Sequence, residues 1–182
     1  MVSTSGAKLL PPEAVENVRT KLLPLATVLT PNIPEAIALL KDAGENVRTP
    51  STLEEAKEIA KQVHELGPQA VLLKGGHMPL KRDYSLPQSK DEAALVVVDV
   101  LYHKEQHTVV ETDYLRTNNT HGTGCSLASA IAANLARGED MEFAVHNACR
   151  YVGAGIKRSF NIGKGSGPIN HFHSIYHLPF AP

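Results

Sequence analysis

Residues 51–76, STLEEAKEIAKQVHELGPQAVLLKGG, contain a complete helix–strand unit. The segment opens with the order of a capping box, so we expect Ser51 to be the N-cap of a helix and Glu54 its reciprocal partner. This helix is predicted to run to Leu66 and to stop at the Gly-Pro pair that follows. Ala70–Leu73 is short and apolar, which indicates a buried strand closed by the turn Lys-Gly-Gly.

The same alternation of helix and strand extends in both directions from this unit. Predicted helices lie at 11–23, 33–41, 125–135 and 141–158, and predicted strands at 26–30, 94–102 and 108–112, the last two paired as a hairpin. This order favours an α/β layered fold with a mostly parallel central sheet and helices on both faces. Residues 1–182 are expected to form one domain with an irregular tail at 163–182. Two clear strand–helix units are few for such a sheet, so we expect N-terminal units of a larger fold to be absent.

The composition excludes several functional classes. The chain has 182 residues, 42% of them hydrophobic and 20% charged, with a formal net charge of −1. Nothing in this balance favours a nucleic-acid or membrane-surface partner. The N-terminus lacks the features of a signal peptide, and the two cysteines are not spaced as a metal cluster, so the cytoplasm is the expected compartment.

The segment 118–125, NNTHGTGC, carries the sharpest chemical signal. A Gly-x-Gly turn, Gly122-Thr123-Gly124, opens a helix there, so outward-pointing amides and the helix dipole should form an anion hole. Cys125 in the first turn is expected to have a lowered pKa and could take a proton from a substrate hydroxyl. The pattern alone equally suits a plain helix start with a small buried cysteine.

Two further segments follow predicted strands. Asn32 and Glu35 offer an amide and a carboxylate oxygen that suit Mg²⁺, directly or through water, although helix capping explains the same pair. Lys74 could lie on nucleotide phosphates as a point charge, or it could be a solvated residue before a turn. The tail segment 163–171, GKGSGPINH, could wrap a nucleotide base or be a flexible linker.

Taken in order, these segments resemble the hydroxymethylpyrimidine kinase branch of the ribokinase-like superfamily, in its fungal type. The resemblance rests on the stretches MVSTSG, LTPNIPEA, LLKGGH, NTHGTGCSLASAIAANLARG and GKGSGPINHF, which cover almost the whole chain. Most ribokinase relatives carry Asp at the position of Cys125, and cysteine there is typical of this branch. Family members also have further βα units before the position of Met1.

The resemblance implies ATP- and Mg²⁺-dependent phosphorylation of 4-amino-5-hydroxymethyl-2-methylpyrimidine and of its monophosphate in thiamine biosynthesis. Residue roles carried over from the family place catalysis and the anion hole at Gly122–Cys125 and metal and phosphate binding at Asn32 and Glu35. The family pattern also puts nucleotide contacts at Thr120, Lys74, Gly167 and Asn170, and pyrimidine contacts at Met1 and Cys125.

Two alternatives stay open on the sequence. The chain could be an inactive fragment that binds nucleotide or a partner chain, or a pyridoxal-type kinase. A homodimer is possible by analogy with relatives.

Overall fold

The computed structural model of the protein describes residues 10–76, 78–87 and 95–175. Its internal contacts divide the chain into two compact units, residues 1–111 and 112–182. The regular elements are α1 (Pro12–Asn17), α2 (Ile33–Asp42), α3 (Leu53–His64), β1 (Ala70–Leu73), β2 (Val96–His103), β3 (Gln106–Asp113), α4 (Thr123–Ala136) and α5 (Met141–Lys157). A π-helical turn, Val18–Leu22, and a 3₁₀ turn, Leu23–Leu25, continue α1. None of the helices in the described ranges has the length and apolar character needed to cross a bilayer.

The sheet corrects one part of the expected fold. Its order is β1-β2-β3, and β1 is antiparallel to β2, with Ala70 opposite His103 and Leu73 opposite Val100. The α/β class is confirmed, but the mostly parallel sheet is not found among the described strands. A two-residue turn, Lys104 and Glu105, joins β2 to β3, and a connection this short can only join antiparallel strands.

The predicted strand at 26–30 is not a regular strand. Within this segment only Leu29 forms a bridge, in parallel with Val71 of β1, and beyond the segment Asn32 forms a second isolated bridge with Lys74. The amide of Leu29 donates to the carbonyl of Ala70 at 2.9 Å. Pro31, which follows the segment directly, has no N–H to donate, so a regular ladder is interrupted at this residue.

One apolar core holds the first unit together. Alternate residues of β1 and β2 face α3, as the two-residue period of a strand requires. The cluster includes Ala56, Ile59, Ala60 and Val63 of α3 and Val71, Leu73, Val98 and Val100 of the sheet.

The helix cap of α3 lies one residue later than the sequence suggested. Thr52, and not Ser51, is the N-cap, and its side chain accepts from the amide of Glu55 at 3.1 Å. The Glu55 carboxylate accepts from the amide and hydroxyl of Ser51, at 2.6 and 2.7 Å. Glu54 instead pairs with Lys57 on the helix surface. Because the helix begins at Leu53, the carboxylate of Glu55, and not that of Glu54, accepts the hydrogen bonds from Ser51 in the preceding loop.

Helices α4 and α5 pack against each other in the second unit. Helix α5 buries a continuous stripe, whereas α4 buries only Leu127 and Ile131. The described part of the predicted tail, residues 163–175, contains no helix or strand. It nevertheless packs on α5, because Ile169 is buried and the amide of Asn170 donates to the carbonyl of Gly155 at 3.0 Å.

Candidate active site

The first turn of α4 presents open backbone amides beside a thiol. Gly122 is the N-cap with φ 85° and ψ 0°, a left-handed conformation that glycine adopts without strain. The amide of Ser126 donates to the Gly122 carbonyl at 2.9 Å, which closes the first helical turn. Within the described residues, the amides of Gly124 and Cys125 have no hydrogen-bond acceptor. They combine with the helix dipole to form a site for an anion.

The two cysteines differ in accessibility. Cys125 is exposed and Cys149 is buried. Cys125 lines a groove of about 1160 Å³ together with Arg150 and Tyr151 of α5. Only the first thiol is therefore placed to meet a ligand.

The loop before α4 is fixed by its own side chains and by the tail. The hydroxyl of Thr123 donates to the carbonyl of Thr120 at 3.0 Å. The amide of His121 donates to the carbonyl of Gly167 at 3.1 Å, and His121 forms an isolated bridge with Pro168. The structure thus brings Thr120, the Gly122–Cys125 turn and Gly167 into one neighbourhood.

A buried asparagine, which the sequence did not single out, organises this neighbourhood. Asn119 is 4% exposed, and its Nδ2 donates to Oδ1 of Asn161 at 2.9 Å. A Cβ at position 167 would overlap Oδ1 of Asn119, so Gly167 is needed for close approach. Asn119 joins the loop before α4 to the segment after α5.

A polar cavity of about 720 Å³ lies beside Asn119. Its walls include the basic residues Arg116 and Lys164, the amides of Asn118 and Asn161, and Tyr114. This lining combines positive charge, amide hydrogen-bonding groups and a ring, which suits a polar anionic ligand with a planar part.

Asn170 has a structural setting. Its Nδ2 donates to the carbonyl of Arg158 at 3.1 Å, and its Oδ1 accepts from the amide of Phe172 at 3.0 Å. The side chain ties the end of α5 to the tail, and its assignment to nucleotide binding stays a prediction.

In the first unit, Asn32 and Glu35 form a complete capping box at the start of α2. Oδ1 of Asn32 accepts from the Glu35 amide at 2.8 Å, and Oε2 of Glu35 accepts from the Asn32 amide at 3.0 Å. The capping alternative is therefore present. Both residues are half-buried, and carboxylate and amide oxygens can accept more than one hydrogen bond, so capping does not exhaust them.

Lys74 lies directly beside this capping box. Its amide donates to the carbonyl of Pro31 at 2.9 Å, and it bridges to Asn32. The lysine is half-buried, and among the residues that the structure describes its ammonium pairs with no carboxylate. The sequence overlooked its neighbour Asp99, which accepts from the amide of Gly75 at 2.8 Å.

The pyrimidine contact and the metal site stay predictions. Met1 lies outside the described residues. In the ranges 10–76, 78–87 and 95–175, no three His, Cys, Asp or Glu side chains come together as a metal-binding group. Any Mg²⁺ bound by Asn32 and Glu35 would need ligands from water or from a phosphate.

Comparison with known proteins identifies relatives along nearly the whole chain. A family model described as phosphomethylpyrimidine kinase matches residues 1–170. A Schizosaccharomyces pombe protein, named as a candidate hydroxymethylpyrimidine/phosphomethylpyrimidine kinase, is 41% identical over 183 residues, 100% of this chain and 33% of its own length. The hydroxymethylpyrimidine/phosphomethylpyrimidine kinase of Synechococcus elongatus is 39% identical over 176 residues, 97% of this chain and 60% of its own.

Solved structures show the same partial coverage. Staphylococcus aureus pyridoxal kinase in complex with AMP-PCP and pyridoxal superposes with a TM-score of 0.76 at 29% identity. The superposition covers 94% of this chain and 58% of the kinase. The chain thus spans between a third and three-fifths of the length of these relatives.

Proposed function

Since the chain belongs to the phosphomethylpyrimidine kinase family, we propose that it transfers the γ-phosphoryl group of ATP to 4-amino-5-hydroxymethyl-2-methylpyrimidine and to its monophosphate. The first turn of α4 carries this proposal. An exposed thiol stands there next to two amides that have no acceptor within the described residues. Phosphoryl transfer needs a group that orients the hydroxyl and donors that stabilise the oxygens of the moving group.

The chemistry assigned to this turn is a single displacement. The hydroxymethyl oxygen attacks the γ-phosphorus, and the bond from that phosphorus to the bridging oxygen of ADP breaks. The hydroxyl proton passes to Sγ of Cys125, which accepts it as a thiolate and becomes a thiol. The amides of Gly124 and Cys125 hold the negative oxygens in flight, and Gly122 and Thr123 fix the turn that aims those amides.

The polar cavity near Asn119 is the proposed nucleotide pocket. Arg116 and Lys164 supply positive charge for an ATP phosphate or ribose edge, and the amides supply base contacts. Thr120, Gly167 and Asn170 belong to the same unit and complete the set carried over from the family.

The first unit is assigned the metal and phosphate roles. Hard oxygens of Asn32 and Glu35 fit Mg²⁺ held mainly by water, because Mg²⁺ keeps most of its hydration shell in proteins. Lys74 is assigned to the nucleotide phosphates, and its bridge to Asn32 beside the capping box supports this role. Bound Mg²⁺ would neutralise charge on the phosphates. Met1 is proposed as a pyrimidine contact, the cytoplasm as the compartment and a homodimer as the assembly.

Two other functions each have an observation in their favour. The similarity to a pyridoxal-bound kinase favours pyridoxal as the acceptor. The polar cavity with Arg116 and Lys164 equally suits a chain that binds nucleotide without turnover.

One assay separates the three functions. ADP release is measured with MgATP plus the hydroxymethyl pyrimidine, plus pyridoxal, or with no acceptor. We expect turnover with the pyrimidine, and a loss of roughly a hundredfold or more in Cys125→Ala, the range typical of a missing general base. Cys149→Ala is the matched control, since that thiol is buried away from the groove. Turnover only with pyridoxal, or nucleotide binding with no turnover, would contradict the proposal.

A further inference from the structure

Strand β2 contains one acidic residue, Asp99, within an otherwise apolar stretch of sequence. Its sequence, VVVDVLYH, places Asp99 in an apolar run, and the residue is only 9% exposed. Burying a carboxylate among aliphatic side chains costs free energy unless specific donors face it. Hydrogen-bond donors must therefore face this carboxylate.

One such donor is the backbone amide of Gly75, in the turn after β1. The Gly75 amide donates to Oδ1 of Asp99 at 2.8 Å, in a buried setting. Gly75 is also pressed against β2, because a Cβ at this position would overlap the carbonyl of Val98. Met78 donates its amide to the Gly75 carbonyl at 2.8 Å, so the chain leaves the sheet at this glycine. Asp99 thus accepts a hydrogen bond from an amide that lies beyond the last backbone pair between β1 and β2.

The turn continues directly to the candidate site of the first unit. Lys74 precedes Gly75, donates its amide to Pro31 and bridges to Asn32. Asn32 in turn forms the capping box with Glu35. Lys74 is held by Pro31 on one side, and the residue after it is held by Asp99 on the other.

We propose that Asp99 is a positioning residue: through the Gly75 amide it fixes the backbone of Lys74 beside Asn32 and so sets the affinity for MgATP. The inference rests on the proposed function, in which Lys74 contacts nucleotide phosphates. When the backbone of Lys74 is already held, placing its ammonium on a phosphate costs side-chain rotamer entropy but no further backbone entropy.

The test uses the full chain and the variants Asp99→Leu, Asp99→Asn, Lys74→Ala and the double variant Asp99→Leu/Lys74→Ala. Asp99→Leu keeps the branching at Cγ and removes the acceptor, so KM for MgATP should rise about tenfold while KM for the pyrimidine stays within about twofold. Asp99→Asn keeps an oxygen for the Gly75 amide, so its KM for MgATP should stay within about threefold of wild type.

Val100→Ala provides the control for simple destabilisation. Val100 lies on the same strand, is 1% exposed and pairs with Leu73, so its truncation lowers the melting temperature without removing the Gly75 acceptor. We expect its KM for MgATP to match that of wild type. If the Asp99→Leu chain is too unstable to assay, Asp99→Ala, which removes the acceptor without adding volume, replaces it with the same expected rise in KM for MgATP.

The double variant distinguishes positioning from general damage. With Lys74 already truncated, Asp99→Leu should cost little more, because residues that act through one another are not additive. Full additivity, an unchanged KM in Asp99→Leu, or an equal rise in both KM values would overturn the inference. The proposed function fails separately if the wild-type protein shows no turnover with the pyrimidine. The dissociation constant for AMP-PNP with Mg²⁺ then replaces KM, and an equal constant in wild type and Asp99→Leu would overturn the inference.

Discussion

Gly167 and Asn119 are packed so closely that a Cβ on residue 167 would overlap the amide oxygen of Asn119. Asn119 is buried and bonded to Asn161, and the carbonyl of Gly167 accepts from the amide of His121. Asn119 and His121 both belong to the segment that leads into α4. A side chain at position 167 would therefore displace Asn119, which lies in the segment that leads into the proposed phosphate site.

The first prediction follows from this contact. Gly167→Ala should displace the Asn119 side chain, break its 2.9 Å bond to Asn161 and destabilise the protein by about 1–3 kcal/mol. Gly165→Ala is the matched control, because nothing lies within 4 Å of its added Cβ, and its effect should be within about 0.5 kcal/mol. Urea unfolding followed by circular dichroism measures both. Equal midpoints for the two variants would contradict the packing described.

Local features of the fold were predictable from sequence. Helices α2 and α5 begin and end within two residues of their predicted limits, because caps and apolar spacing act over a few residues. The hairpin of β2 and β3 was predicted from the short connection between its strands, which is also a local feature. The direction of β1 against β2 was not, since it depends on contacts between residues about thirty apart, such as Ala70 and His103.

The candidate site divides in the same way. The Gly122–Cys125 turn is contiguous in sequence, so its helix-start geometry could be foreseen from the glycines. Asn119 and Asp99 were missed because their partners, Asn161 and Gly75, are 42 and 24 residues away. A signal for Asp99 did exist, since a single acidic residue interrupts the run VVVDVLY.

The second prediction concerns the thiols. Iodoacetamide should alkylate Cys125 in the native protein and leave Cys149 unmodified until the chain unfolds, because only the first is exposed. MgATP at ten times its dissociation constant should slow the reaction of Cys125 roughly tenfold if phosphates occupy the neighbouring amides. Peptide mass spectrometry gives both rates. Modification of Cys149 at a similar rate would contradict the burial, and alkylation of Cys125 unaffected by MgATP would contradict phosphate binding at this turn.

The third prediction is a pH dependence at the start of α3. Hydrogen bonds from the amide and then the hydroxyl of Ser51, with a smaller contribution from Arg48, lower the pKa of Glu55 from 4.5 to about 2. A carboxyl whose pKa is lowered by folding stabilises the native state above its unfolded pKa, and this contribution is lost as the pH falls through the folded value. The stabilising effect of Glu55 should therefore be complete at neutral pH and disappear between about pH 4.5 and 2.

Paired substitutions measure this effect. Glu55→Gln should lower the urea midpoint at pH 7, and its difference from wild type should shrink as the pH falls below the unfolded pKa. Glu54→Gln is the control, because the one described partner of the Glu54 carboxylate is Lys57, in a surface pair that contributes little to stability. A larger loss of stability from Glu54→Gln than from Glu55→Gln would contradict this assignment and favour Glu54 as the capping partner, as the sequence alone suggested.

The fourth prediction uses the turn between β2 and β3. Lys104 and Glu105 have φ values of 49° and 59°, so two residues with side chains occupy the left-handed region that a two-residue hairpin turn requires. The double substitution Lys104→Asn/Glu105→Gly introduces the residue types that favour this conformation and should stabilise the protein by about 1 kcal/mol. Glu105→Ala keeps the Cβ and should bring no comparable gain.

Gln106→Gly, one residue later at the start of β3, should instead destabilise by about 0.5–1 kcal/mol, because glycine weakens an extended strand. Urea midpoints of the three variants give the comparison, and a gain at position 106 equal to that at the turn would show that the φ values do not govern stability there.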